Sequence, residues 1–128
     1  MRYVKCYLFL VLVYWVVSIN LWSAWLNDVP TTVTQPDGSV LECLASGDEF
    51  HNWLHDREGY TIIPHPKTAY YVYLEKKDGE LVAGSAIAGR DNPRSFGIAP
   101  HLNISKEQYS AKRALFDQDP SLRNTPVT

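Results

Sequence analysis

His51 and His55, four residues apart in GDEFHNWLHDREG, are the first residues of this chain whose types and spacing point to chemistry. On a helix, side chains at i and i+4 sit one above the other, and a histidine pair so placed is how an HExxH zinc site grips its metal. That chemistry also needs a glutamate directly after the first histidine, to take the proton from metal-bound water, and a further ligand to close the coordination shell. Asn52 stands in the glutamate's place, and neither His65 nor His101 lies in a recognisable ligand motif. An amide cannot act as a base. The pattern therefore predicts no catalytic residue, no metal ligand and no cofactor, and the pair reads as two solvated side chains on an amphipathic helix.

The helix that would position them is expected to start at Ser46 as cap, with Glu49 completing a capping box and Phe50, Trp53 and Leu54 forming the apolar stripe. At about 100° per residue, His51 and His55 project together, roughly 120° from the centre of that stripe. Asp48, Glu49, Asp56 and Glu58 cluster around the same segment and read as acids that complement a helix dipole. The chain carries no GxSxG, no Gly-rich phosphate loop and no Cys/His zinc-ribbon spacing. Asn103-Ile104-Ser105 matches a glycosylation sequon, a triplet short enough to arise by chance.

Strands flank this segment. TTVTQ and SVLECLA are β-branched, extended runs joined by Pro36-Asp37-Gly38, where proline sets the first turn angle and glycine accepts a positive φ. AYYVYLE and LVAGSAI flank Lys77-Asp78-Gly79-Glu80, and Asp78-Gly79 suits a type I′ hairpin turn. GYTII between the hairpins is a third strand candidate, ended by Pro64 and Pro66. Tyr70, Val72 and Leu74 would share one face of a strand and Tyr71, Tyr73 and Glu75 the other, so this strand should be central. AGRDNPRSFGIAPHLN reads as an irregular surface segment. A helix then follows, capped by Ser105 with Gln108 returning the bond and Ile104 and Tyr109 at the staple positions, and runs to about Phe116. The expected fold class is α+β, a small antiparallel sheet built from hairpins with two short helices, over residues 29–116, with a frayed polar tail at 117–128.

Length and charge narrow the function. A chain of 128 residues, 45% hydrophobic and 20% charged, holds one globular domain plus a targeting segment. Arg2 and Lys5 precede an apolar run from Cys6 to Val17, the layout of a secretory signal peptide. Two readings of residues 1–24 stand, a cleaved signal peptide and an uncleaved membrane anchor, because Cys6 to Leu26 is broken only by Ser18, Asn20 and Ser23. Either way the domain is expected to be secreted or extracytoplasmic, with a membrane contact only if residues 6–26 stay uncleaved. Without Arg2 and Lys5, ten basic residues face fourteen acidic ones, a formal charge of −4 that argues against a nucleic-acid partner. Loss of Cys6 would leave Cys43 alone, so no internal disulfide is expected and Cys43 reads as a buried small hydrophobe.

VTQPDGSVLECLASGDEFHNWLHDREGYTII, followed by a Tyr-rich strand, a DG hairpin and DNPRSFGIAPHL, resembles the N-terminal region of the immune-inhibitor-A-like secreted metalloproteases, the sixth metallopeptidase family. The likeness covers roughly residues 29 to 105 and is carried by Gln35, Pro36, Asp37 and Gly38, by Gly47, Asp48 and Glu49, and by Glu58, Gly59 and Tyr60. The resemblance implies a propeptide-like segment that precedes a catalytic domain, whose HExxH lies downstream and is not among these residues. It implies a noncatalytic folding or latency module, truncated before the peptidase domain, with a cognate metalloprotease domain as partner. The alternative is a membrane-tethered extracytoplasmic binding domain.

Overall fold

The computed structural model describes residues 25–119 and 121, so the expected targeting segment at 1–24 and most of the expected tail lie outside the described residues. Six strands follow one another in the sheet in chain order: β1 Leu26–Thr34, β2 Val40–Gly47, β3 Asn52–His55, β4 Thr61–Pro64, β5 Tyr71–Lys77 and β6 Glu80–Ile87. Every neighbouring pair is antiparallel. Among the described residues a 3-10 turn at Pro93–Phe96 and one helix, α1 at Lys106–Gln118, complete an α+β fold that is mostly sheet. Among the described residues no helix is long and apolar enough to cross a membrane.

Both expected hairpins form. The β1–β2 turn closes through Gln35 N donating to Ser39 O at 2.8 Å, while the Asp37 carboxylate accepts from Ser39 N at 2.9 Å. In the β5–β6 turn Asp78 and Gly79 both hold positive φ, 51° and 83°, as a type I′ turn requires. Strand β5 lies between β4 and β6 and buries Val72, Tyr73 and Leu74, so both of its faces are covered, as its alternating rings imply.

The segment expected to be a helix from Ser46 is instead strand, turn and strand. Ser46 is a buried residue of β2, Gly47 ends that strand at φ 116°, and Asn52–His55 form β3. Asp48 Oδ1 accepts from the amides of Phe50 and His51, both at 2.9 Å, so the carboxylate holds a tight turn rather than capping a helix. Ser-x-x-Glu resembles a capping box, but Ser46 Oγ is engaged across the sheet and the following residues pair with β2.

Register sets what each face carries. Ala45, Leu54, Ile62 and Tyr73 are successive partners across β2 to β5 and form one row of the core. Leu41, Cys43, Tyr60, Ala86 and Ala88 join them on that side, and Ile98 closes it. The segment after β6 is thus more than surface: Pro93 and Ile98 are buried. Gln35, 4% exposed, ties the two hairpins together by accepting from Tyr71 N at 2.8 Å and donating to Tyr71 O and Ala88 O, each at 3.1 Å. The opposite face carries Leu44, Ser46, Trp53, His55 and Thr61, because strand side chains alternate and Leu44 pairs with His55, which pairs with Thr61.

Helix α1 begins as its sequence predicts. Ser105 Oγ accepts from Gln108 N at 3.2 Å and Gln108 Oε1 accepts from Ser105 N at 2.9 Å. The helix continues two residues beyond Phe116, to Gln118.

Candidate functional site

The second face of the sheet holds a polar group that three strands bring together. Ser46 Oγ lies 2.8 Å from His55 Nε2, and Asp28 Oδ1 lies 3.2 Å from the same nitrogen and 3.3 Å from Ser46 Oγ. Asp28 N also donates to Ser46 Oγ at 3.0 Å. Ser46 and His55 are side-chain neighbours across β2 and β3, whereas Asp28 arrives at a bulge in β1, in a left-handed conformation at φ 52°. Aspartate tolerates that conformation better than most residues.

His55 Nδ1 sits 2.8 Å from Asp56 O, and a carbonyl can only accept, so Nδ1 carries a hydrogen. Nε2 is therefore the nitrogen that faces Ser46 and Asp28. A Ser-His-Asp relay needs the carboxylate on one ring nitrogen and the hydroxyl on the other. Here both compete for Nε2, and the aspartate cannot orient the ring for a serine nucleophile. The group borders a cavity of about 560 Å³ whose walls include Trp25, Trp53, Thr61 and His101.

The expected solvated pair, His51 and His55, is corrected on both counts. His55 is buried and His51 half-buried. Four residues of extended chain separate them by about 13 Å, against about 6 Å along a helix, so they cannot share one metal. His51 belongs to a different cluster: its Nε2 is 2.7 Å from Asn103 Oδ1, its Nδ1 is 3.1 Å from Lys112 Nζ, and its ring stacks on Trp53. Asn103 Oδ1 also accepts from Ile104 N at 2.8 Å, so the sequon's asparagine is committed to the fold. Burial holds His51 below the usual histidine range; the Asn103 bond opposes this and the Lys112 ammonium adds to it. Asp48 is pushed up by burial, but its bonds from Tyr109, His51 and Phe50 outweigh this and leave it below the usual carboxylate range.

The acids expected around a helix start are dispersed, because no helix starts there. Asp48 bonds the Tyr109 hydroxyl at 2.5 Å, Asp56 Oδ1 accepts from Glu58 N and Tyr60 N, and Glu58 pairs with Arg94 at 3.2 Å. Among the described residues no three His, Cys, Asp or Glu side chains converge as a chelating set. Cys43 is buried within β2, where burial pushes its thiol up.

The motif residues do not meet in one place. Gln35 to Gly38 make the first hairpin turn, Gly47 to Glu49 the β2–β3 turn, and Gly59 and Tyr60 the entry to β4. A Cβ on Gly47 would stand 2.2 Å from His51 O. Tyr60 packs edge-on against Tyr73 in the core, with ring centres 6.0 Å apart. Asp28 and Ser46 were not legible as a pair: they are 18 residues apart, and only the register of β1 on β2 joins them. No family model, curated protein or solved structure matches this chain.

Proposed function

We propose that this chain is an exported, noncatalytic prodomain-like module that acts on a metalloprotease domain as a folding or latency partner. The observation that carries the reading is the use made of the motif residues. Gln35, Gly38, Gly47, Asp48, Gly59 and Tyr60 hold turns, ties between hairpins and core contacts. A motif of this kind specifies a shape and not a reaction, as expected of a region that assists a neighbouring domain. The Ser46–His55–Asp28 geometry supports the same reading, since both partners crowd one ring nitrogen.

The test is to refold a zinc metallopeptidase domain of the resembled family with and without the purified chain, and to follow peptide hydrolysis and complex formation by size exclusion. The expected result is a higher yield of active peptidase or a suppressed rate, together with a complex. Neither effect and no complex would overturn the proposal. Hydrolysis of casein by the metal-loaded chain alone, above a chelated control, would overturn its noncatalytic part.

A second reading, a membrane-tethered extracytoplasmic binding domain, draws on an apolar cavity of about 300 Å³ between Trp53, Ile63, Leu74, Leu81 and Ile104. An intact N-terminus in mass spectra of the exported protein would favour it.

A further inference from the structure

We propose that His51 is an acid-sensitive latch for helix α1: a proton on its Nδ1 sets the ring against Lys112 and releases the helix from the β2–β3 turn. The proposal does not rest on the protease-partner reading. It starts from donors and acceptors whose roles the contacts fix. Ile104 N is a backbone donor and lies 2.8 Å from Asn103 Oδ1, so that atom is an acceptor. His51 Nε2 lies 2.7 Å from the same oxygen and must therefore be the N–H of the ring. Lys112 Nζ has only hydrogens to offer and lies 3.1 Å from Nδ1, so Nδ1 presents its lone pair. The docked helix thus reads one form of the histidine, the neutral ring with its hydrogen on Nε2.

A proton can add only at Nδ1. It sets an imidazolium N–H and an ammonium 3.1 Å apart, two like-charged donors with no lone pair between them. The charged groups around the ring decide how that repulsion is relieved. Asp48, in the same turn, attracts the imidazolium, but it stays beside His51 whether or not α1 is docked, and so does Glu49, so their pull does not retain the helix. Lys112 faces the ring only while α1 is docked, and Arg113, over the Phe50 ring at 5.2 Å, adds a second cation on that side of the helix. Asn103 and Trp53, on the other sides of the ring, carry no charge. What then still holds α1 is the Tyr109 bond to Asp48 and the edge contact of Phe50 with Phe116, for a helix with no buried residue. Burial and the Lys112 ammonium hold the docked ring below the usual histidine range, against the Asn103 bond and Asp48, so the released state takes up the proton first and release grows as pH falls below about 6.5. Release parts the Phe50 and Phe116 rings next to His51, which borders the apolar cavity of about 300 Å³, so acid widens the apolar surface there.

The experiment follows the full-length chain by NMR from pH 8 to pH 5, reading the His51 imidazole ¹⁵N resonances and the amide protection factors of α1, corrected for the intrinsic pH dependence of exchange. The expected result is an Nε2–H tautomer at pH 8 and α1 protection that falls roughly three- to tenfold along the His51 titration curve, with the β2–β5 amides better protected at every pH. Lys112→Gln removes the charge of an exposed side chain and leaves the packing of the ring alone. It should raise the pH at which His51 titrates and cut the acid-induced loss of α1 protection to less than about twofold. An Nδ1–H tautomer at pH 8, α1 protection indifferent to the His51 titration, or a loss that is the same in Lys112→Gln would overturn the proposal. So would equal protection of α1 and the sheet, since the helix would then open only with the whole fold.

Discussion

Removing the Gln35 side chain deletes three hydrogen bonds at once, one buried and two part-buried, and takes from Tyr71 N and Ala88 O the partner that Gln35 supplies. An orphaned buried polar group costs about 1–3 kcal/mol, so Gln35→Ala should destabilise by roughly 3 kcal/mol or more. The check is a denaturant midpoint that falls while the slope stays constant, which would place the loss in stability and not in compactness. The glycines of the motif should separate in the same assay. Gly38→Ala meets no atom within 4 Å and suffers only the strain of φ 86°, about 1 kcal/mol. Gly47→Ala must also move the backbone oxygen of His51 from 2.2 Å, so its cost should exceed that of Gly38→Ala at least twofold. The two histidines differ as well. A solvated pair would tolerate joint replacement, but His55 is 8% exposed and bonds the Asp56 carbonyl and Ser46, so its replacement by alanine should account for most of the loss in the double variant.

Helix α1 has no buried residue and rests on the β2–β3 turn through a few contacts. Tyr109 bonds Asp48, Lys112 reaches His51, and Phe50 takes the edge of Phe116 at 5.5 Å and the Arg113 guanidinium at 5.2 Å. An element held this way opens before the sheet does. Tyr109→Phe should therefore speed amide exchange in α1 by roughly three- to tenfold, for one part-exposed bond to a charged group, and leave the β2–β5 amides unchanged. Acid should act at the same place. Both Asp48 and His51 titrate lower in the folded chain than in the unfolded one, so for each the unfolded state binds the proton first and stability falls as pH falls. The His51 contribution is full above about pH 6.5 and declines below it, and the Asp48 contribution is full above about pH 4 and declines below that. Melting followed across pH 3 to 8 should show two declines, and His51→Gln should remove only the upper one. This turn is also where the sequence misled. HNWLH is four extended residues and a turn residue, too short for a period of 2.0 to be told from one of 3.6, and Ser46-x-x-Glu49 imitated a cap. The hairpins and α1 were legible because Pro36-Asp37-Gly38, Asp78-Gly79 and Ser105-x-x-Gln108 each act within four residues of chain.

Across the whole molecule, what could not be read was whatever depends on register. The Asp28–Ser46–His55 group exists because β1 lies beside β2 with a bulge between Leu26 and Val29, and no local pattern encodes that pairing. The burial of Ile98 is likewise a property of how the segment after β6 folds back on the sheet. The core, by contrast, is one connected layer from Leu41 to Ile98, and it contains a natural reporter. Cys43 is 5% exposed, sits on a strand paired on both sides, and burial disfavours its thiolate. If the sheet opens as a unit, iodoacetamide can reach Cys43 only through global unfolding. In a Cys6→Ser chain, the labelling rate should then rise with denaturant along the same slope as the spectroscopic unfolding curve, and Gln35→Ala should raise it by the factor set by that variant's loss of stability. Labelling that is fast without denaturant, or indifferent to Gln35→Ala, would mean that β1 leaves β2 independently, and that the site built on their pairing opens with it.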